Sequence, residues 1–324
     1  MPTVAPLDLE GHCVAVAFLG DVPHFALADG VVHRLDHGHK WTELHDGLLS
    51  TAYDAARARL ITGGEDGKVC ALGAGEAVET LAEIGRKWIT SVAAGPQGAI
   101  AYATGKTATV RFSDGKVKEF VHPRSVEGLA FAPKGMRIGV ARYNGATLHF
   151  PATEGKPVEL EWAGAHTGIT FSPDGNFLVT TMQENALHGW KLVDAKHMRM
   201  SGYPMKVKSL SWSARGKWLA SSGAPAAIVW PFVGKDGPMG KAPLELGTRG
   251  NAAVTCVACH PSEEIVAIGY NDGMILAARF ADQKEVLLRR PGKGAITAMA
   301  WDSEERRIAF GSDAGDCGVI DISG

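Results

Sequence analysis

The sequence predicts an all-β fold built from repeated units of four short strands, eight units with seven as the alternative. Three observations lead there. Glycine is in excess, 40 of 324 residues, as expected where many short strands are joined by tight turns. A strand, turn, strand pattern, clearest in Ile169-Thr-Phe-Ser-Pro-Asp-Gly-Asn-Phe-Leu-Val-Thr-Thr181, recurs along the whole chain. The last apolar residue of its first strand falls at Phe18, Tyr53, Ala94, Phe131, Phe171, Trp212, Cys259 and Trp301, at intervals of 35 to 47 residues. The mean, about 40, is the repeat length of a four-stranded propeller blade.

Each unit follows the same order. After the first strand comes a turn such as Gly95-Pro-Gln-Gly98, Ala132-Pro-Lys-Gly135, Ser172-Pro-Asp-Gly175, Ser213-Ala-Arg-Gly216 or His260-Pro-Ser-Glu263. Proline presets the backbone angle and glycine accepts the left-handed residue that ends the turn. The second strand leads to Ala28-Asp-Gly30, Glu65-Asp-Gly67, Tyr143-Asn-Gly145 or Asn271-Asp-Gly273, which are strong hairpin signals. A third strand follows, such as Lys68 to Leu72, and then a variable fourth, such as Val78 to Leu81, Val117 to Phe120, Val158 to Trp162 or Glu285 to Leu288. The chain supplies eight sets of the first three strands but seven complete fourth strands. The missing one is placed at Thr3 to Leu9, where Pro6 suits an outer edge because proline cannot donate to a central ladder. As the outermost strand of the last blade it closes the ring and protects an open edge. If the count is seven, the irregular unit is expected around Trp88 to Phe112. The whole chain, 1–324, is read as one propeller domain.

These residues resemble the WD-repeat family over essentially the full length. Phe171-Ser-Pro-Asp-Gly175 matches its first turn, and Asp66, Asp272 and Asn144 sit in the register of its turn acid. The departures matter as much. Only Val121-His122 and Gly202-Tyr203 occupy the place of the family's Gly-His pair, while Gly11-His12 and Ala165-His166 fall too close to their marker residues. The closing Trp-Asp survives only as an aromatic, at Phe112, Phe150, Trp190 and Trp230. No unit shows the complete His-Ser/Thr-Asp-Trp hydrogen-bond set, so a divergent member held more by packing than by that network is expected.

Composition bounds the function. Charged residues are 21% and hydrophobic residues 45%, which excludes a disordered chain. No apolar run approaches the roughly 20 residues of a membrane span, and no secretory signal opens the sequence. Net charge is -2 at pH 7, which gives no field to gather phosphate backbones. Neither nucleic acid nor a membrane is an expected partner, and the default location is cytoplasmic. The five cysteines are an odd set in a large chain and not a disulfide framework. Cys256 and Cys259 lie in an alternating strand, where an i, i+3 pair points to opposite faces, against a zinc or redox role.

A meander places the second-to-third turn of each unit and the connection to the next unit at one end. Side chains expected there are Arg86, Lys87, Trp88, Arg124, Arg142, Tyr143, Gln183, Tyr203, Lys206, Arg249, Tyr270, Asn271 and Lys293. Tryptophan, tyrosine and arginine are the types that most often anchor interfaces, and a basic, aromatic rim suits an acidic or phosphorylated peptide. Arg142 replaces the small residue of its register; a buried arginine needs a partner, for which Glu127 and Asn144 are the candidates, and a structural role outweighs a ligand-binding one. His122 likewise reads as structural.

Six of the twelve histidines fall in the first 45 residues. His24, His37 and His39 are expected at one end of the first blade and, with Asp21 or Asp36, form a candidate zinc or copper site. No nucleophile elbow, phosphate loop or spaced carboxylate pair is present. The functional expectation is a non-enzymatic scaffold that presents loop faces to a protein or peptide, as the resemblance implies. It would act as a monomer or within a complex. A metal-binding accessory protein and an enzyme with a site at the channel mouth are the alternatives.

Overall fold

A computed structural model describes residues 3–75 and 77–323, and its regular structure is almost entirely short antiparallel strands joined by turns. Two compact units divide the chain, residues 1–42 with 202–324, and residues 43–201.

In the unit 1–42 with 202–324 four sheets of four strands form, from residues 13–43, 210–246, 254–289, and from Thr3–Asp8 with the three strands of 296–321. The N-terminal strand lies outermost in the last of these, as expected. It pairs antiparallel with Asp316–Asp321 from Thr3 opposite Asp321 to Asp8 opposite Asp316, and Pro6 faces Gly318. Met1 and Pro2 lie outside the described residues. Leu9 donates to the Gly315 carbonyl at 2.9 Å, so the segment leaves the sheet across the last hairpin turn. The apolar inward faces of neighbouring strands make the core: Val266, Ile268 and Tyr270 pack with Val229 and Leu246, and Phe310, Ile308 and Ile320 with Ile296.

In the unit 43–201 the first two sheets are regular, Leu48–Asp54 to Val78–Glu83 and Ser91–Ala94 to Val117–Val121. The third has six strands, 126–201. Among the described residues there are therefore seven sheets, six of four strands and one of six. This corrects the expected eight four-stranded blades to a seven-bladed, mostly four-stranded propeller. The cause is one strand of 14 residues, Val158–Phe171. Its first half pairs with Gly145–Leu148 and its second with Leu178–Met182. Between them Glu161-Trp-Ala-Gly-Ala-His166 contains no proline, asparagine or aspartate to turn the chain, and it continues as strand with a bend at Gly164, φ 122°. Tyr143-Asn144-Gly145, expected as a hairpin turn, likewise lies within one strand, Ile138–His149. There the register slips, with Asn144 and Gly145 at φ 66° and 129°. The irregularity is thus not around Trp88 to Phe112, whose strands form a regular sheet.

The shared end of turns and connections is visible in backbone hydrogen bonds. Ile84 donates to Gly67, Ile89 to Gly64, His122 to Lys106 and Val126 to Gly105, all within 3.0 Å. In the other unit Arg249 donates to Pro225 and Gly292 to Asp272, both at 3.0 Å. Each of these four connections is pinned to the hairpin turn that precedes it, because buried backbone donors need partners.

A polar cleft and its supporting networks

The six-stranded sheet carries a cleft of about 550 Å³ at the end where connections and turns meet, between the Pro123 to Arg124 loop, Arg142 to Asn144, and Glu159 to Ala163. Arg142 is its fixed point. The side chain is buried, and each of its nitrogens is engaged: Nε donates to Thr147 Oγ1 at 3.0 Å, Nη1 to the Tyr143 carbonyl at 3.0 Å, and Nη2 to Glu159 Oε2. Thr147 also donates to that oxygen at 2.8 Å. Thr147 and Glu159 are cross-strand neighbours, and side chains directly opposite on antiparallel strands share a face. The expected partners Glu127 and Asn144 are not the ones used; Asn144 Oδ1 accepts instead from Gly164 N at 3.2 Å. Only glycine fits at 145, since a Cβ there would collide with the Leu160 carbonyl.

The cleft wall is aromatic. Tyr143 is 50% exposed, and its phenol has no partner among the described residues. Trp162, half-buried, stacks on His188 with ring centres 4.1 Å apart and leans on His197 at 4.6 Å. His188 is itself buried against Trp190 and His166, and neither of its ring nitrogens has a hydrogen-bond partner. Burial, with His166, His197 and Arg199 nearby, lowers its pKa to about 3, so the ring is neutral. Arg124 is exposed and makes no ion pair among the described residues.

The other expected contact residues separate. In the unit 43–201, Arg86 and Trp88 are exposed on the connection before Ser91–Ala94, and Gln183 is exposed on a turn. In the other unit, Lys206 is half-buried, and Asn271 is exposed with Oδ1 accepting from Ala253 N at 3.0 Å. Arg249 pairs with Asp272 at 2.9 Å and lies over the Tyr270 ring at 4.9 Å, and Lys293 reaches Asp8 at 3.0 Å. Two of the expected contact residues are buried instead. Tyr270 is fully buried with its hydroxyl on the Gly247 carbonyl, and Tyr203 is 7% exposed; neither phenol reaches a partner. Tyr203 instead carries a relay in which Trp230 Nε1 donates to its oxygen at 2.7 Å, its hydroxyl bonds Ser221 at 2.6 Å, and Ser221 donates to the Ile228 carbonyl at 2.9 Å.

That relay stands where the Gly-His pair was expected, and two more histidine networks were missed. His45 donates from Nδ1 to Asp66 at 3.0 Å and accepts at Nε2 from Thr62 at 2.7 Å. His166 donates from Nε2 to the Trp162 carbonyl at 3.0 Å and holds Thr180 at 2.7 Å. The signal for the first was present, since Asp66 had been placed in the turn-acid register and a histidine two strands upstream completes the set. Tyr203→Phe is expected to cost about 2–4 kcal/mol, because it orphans the buried Trp230 donor and removes the hydroxyl that bonds Ser221. Chemical denaturation against the parent chain measures it, and an unchanged midpoint would contradict the relay.

The metal expectation is not met by the geometry. His24 is buried with Nδ1 on the Val22 carbonyl at 2.9 Å, His37 is fully exposed 3.7 Å from Asp36, and His39 pairs with His33 at 2.8 Å. No group of three or more His, Cys, Asp or Glu side chains suited to a metal ion occurs among the described residues. Cys256 and Cys259 are buried, their thiols pushed up to about 11 and about 12 by burial.

Residues 251–324 match the family model of the anaphase-promoting complex subunit 4 WD40 domain. Telomerase protein component 1 of Rattus norvegicus is 22% identical over 203 residues, covering 60% of this chain but 7% of that protein. Among solved structures, the computationally designed Ika8 protein superposes with a TM-score of 0.76 at 20% identity, covering 97% of this chain and 98% of that one. A chain of the mitotic checkpoint complex gives 0.68 at 13% identity, covering 86% and 91%. With blades of this topology and these matches, the chain is a divergent β-propeller related to the WD40 type.

Proposed function

We propose that this protein is a non-enzymatic scaffold that docks a protein or peptide partner, and that the cleft in residues 43–201 is the docking place. One observation carries the reading: a concave surface of about 550 Å³ in which half-exposed Tyr143 stands beside an arginine already fixed by three hydrogen bonds. A preorganised aromatic anchor in a cleft is what concentrates binding energy at interfaces. The similarity to a chain of the mitotic checkpoint complex agrees with a role in assemblies. Exposed Trp88 belongs to the same unit and to the same type of connection as Arg124, and the two are assigned to the outer part of the contact.

The test is a pull-down from native extract with the intact chain and with the Trp88→Ala, Tyr143→Ala double variant. Both side chains are exposed, so melting is expected to stay close to that of the parent. A stoichiometric partner is expected with the parent and is lost with the variant. A partner retained equally by both would remove this surface from the interface.

A further inference from the structure

We propose that the cleft receives a basic side chain, arginine or lysine, of a partner peptide, held against the Tyr143 and Trp162 rings with Glu159 and Glu161 as its counter-charges. This rests on the docking reading and names the chemistry that the cleft selects. Arg142 already commits three of its five N–H groups to Thr147, Tyr143 and Glu159, and the Glu159 carboxylate balances its charge. The carboxylates are not so committed. Glu159 is 46% exposed at its side chain and uses only Oε2 toward Arg142 and Thr147. Glu161, two residues along the same strand and therefore on the same face, is exposed and forms no ion pair among the described residues. Glu184 adds a third carboxylate at the border, where a Cβ on Gly164 would lie 3.1 Å from it.

Two aromatic residues, Tyr143 and Trp162, line the same cleft. A cation over an aromatic face gains about 0.5–2 kcal/mol, more as it is desolvated, and here one ring is immobilised from behind by the His188 stack. That stack is neutral and does not repel a cation. Arg124, at the Pro123 end, opposes a second positive charge and fits a carbonyl or carboxylate beside the inserted residue, which orients the peptide. An acidic side chain in the same place would meet the Glu161 carboxylate, and the charge of Arg142 is already offset by Glu159.

The test uses the full chain with nitrogen-15 labelling and follows the Trp162 indole resonance, assigned with Trp162→Phe. The probes are N-acetyl-arginine amide, N-acetyl-lysine amide and N-acetyl-glutamate amide in the millimolar range. A saturable shift is expected with the arginine or lysine probe and not with the glutamate probe. Glu161→Gln is expected to weaken it about fivefold, on the scale of one exposed charge contact, and Tyr143→Ala by a similar factor. A shift with the glutamate probe alone overturns the basic-ligand assignment and leaves the scaffold reading to the pull-down. Absence of a saturable shift with every probe also overturns it, and a shift unaltered in Glu161→Gln removes that carboxylate from the site.

Discussion

Removal of residues 1–9 is expected to make the chain aggregate. The deletion strips the Asp316–Asp321 strand of its six-pair partner and presents a bare row of donors and acceptors, the template on which another chain pairs. Val4 and Leu7, packed against the clusters of Phe310 and Phe25, are lost with it, as is buried Leu9. Apolar contacts and ladder bonds of that extent are worth about 5 kcal/mol, a large share of the usual stability of a domain. Light scattering and thermal melting of the truncated and intact chains measure the two effects. A truncated chain that stays monomeric with an unshifted transition would mean that the strand is decoration.

Acid is the second lever. Burial holds His149 at about 4 and His188 at about 3, and it lowers His122 and His166 as well. Around His149 lie His122, Glu159 and Lys118, and only the carboxylate favours a charged ring; His166, His197 and Arg199 around His188 all oppose one. In the unfolded chain each ring titrates near 6.5. Below that pH the unfolded state binds protons that the folded state refuses, so stability falls as pH drops through 6.5 and stops falling below the folded values. At pH 5 the loss is about 2 kcal/mol for each of His149 and His188, roughly 4 kcal/mol together. Urea denaturation at pH 7.5 and 5.0 is expected to show it. His188→Phe keeps an aromatic ring against Trp162 and removes two buried nitrogens that have no partner. It should abolish about half of the acid loss without lowering stability at pH 7.5. A pH-independent midpoint in the parent chain would refute the assignment of neutral buried histidines.

The propeller was legible because its punctuation is chemical: Pro-Asp-Gly and Asn-Asp-Gly turns can do little but reverse a chain, and their spacing gives the blade. The blade count was not legible. The sequence separates a fourth strand ending at Trp162 from the next unit starting at Ile169, whereas a single glycine, Gly164, without proline or an Asx residue beside it in the chain bends the strand and does not end it. Tyr203 and Tyr270 were read by residue type as interface anchors. Their burial follows from partners far along the chain, Ser221 and Trp230 for one and the Gly247 carbonyl for the other. Arg142 was recognised as an arginine in need of a partner, but its carboxylate is set by strand register, which places Thr147 opposite Glu159. Trp162 went unnoticed because a tryptophan in a fourth strand looks like packing, and most of its surface is.

The unbroken strand Val158–Phe171 has a mechanical consequence. Glu159 and Glu161 lie near one end of it, and His166, which bonds the Trp162 carbonyl, lies further along the same ribbon. A loop between two blades would absorb a local displacement as slack. Here the ladder runs on through the junction, and slack is confined to the bend at Gly164 and the register slips beside it. In this stretch two neighbouring repeats share a single strand jointed at one glycine.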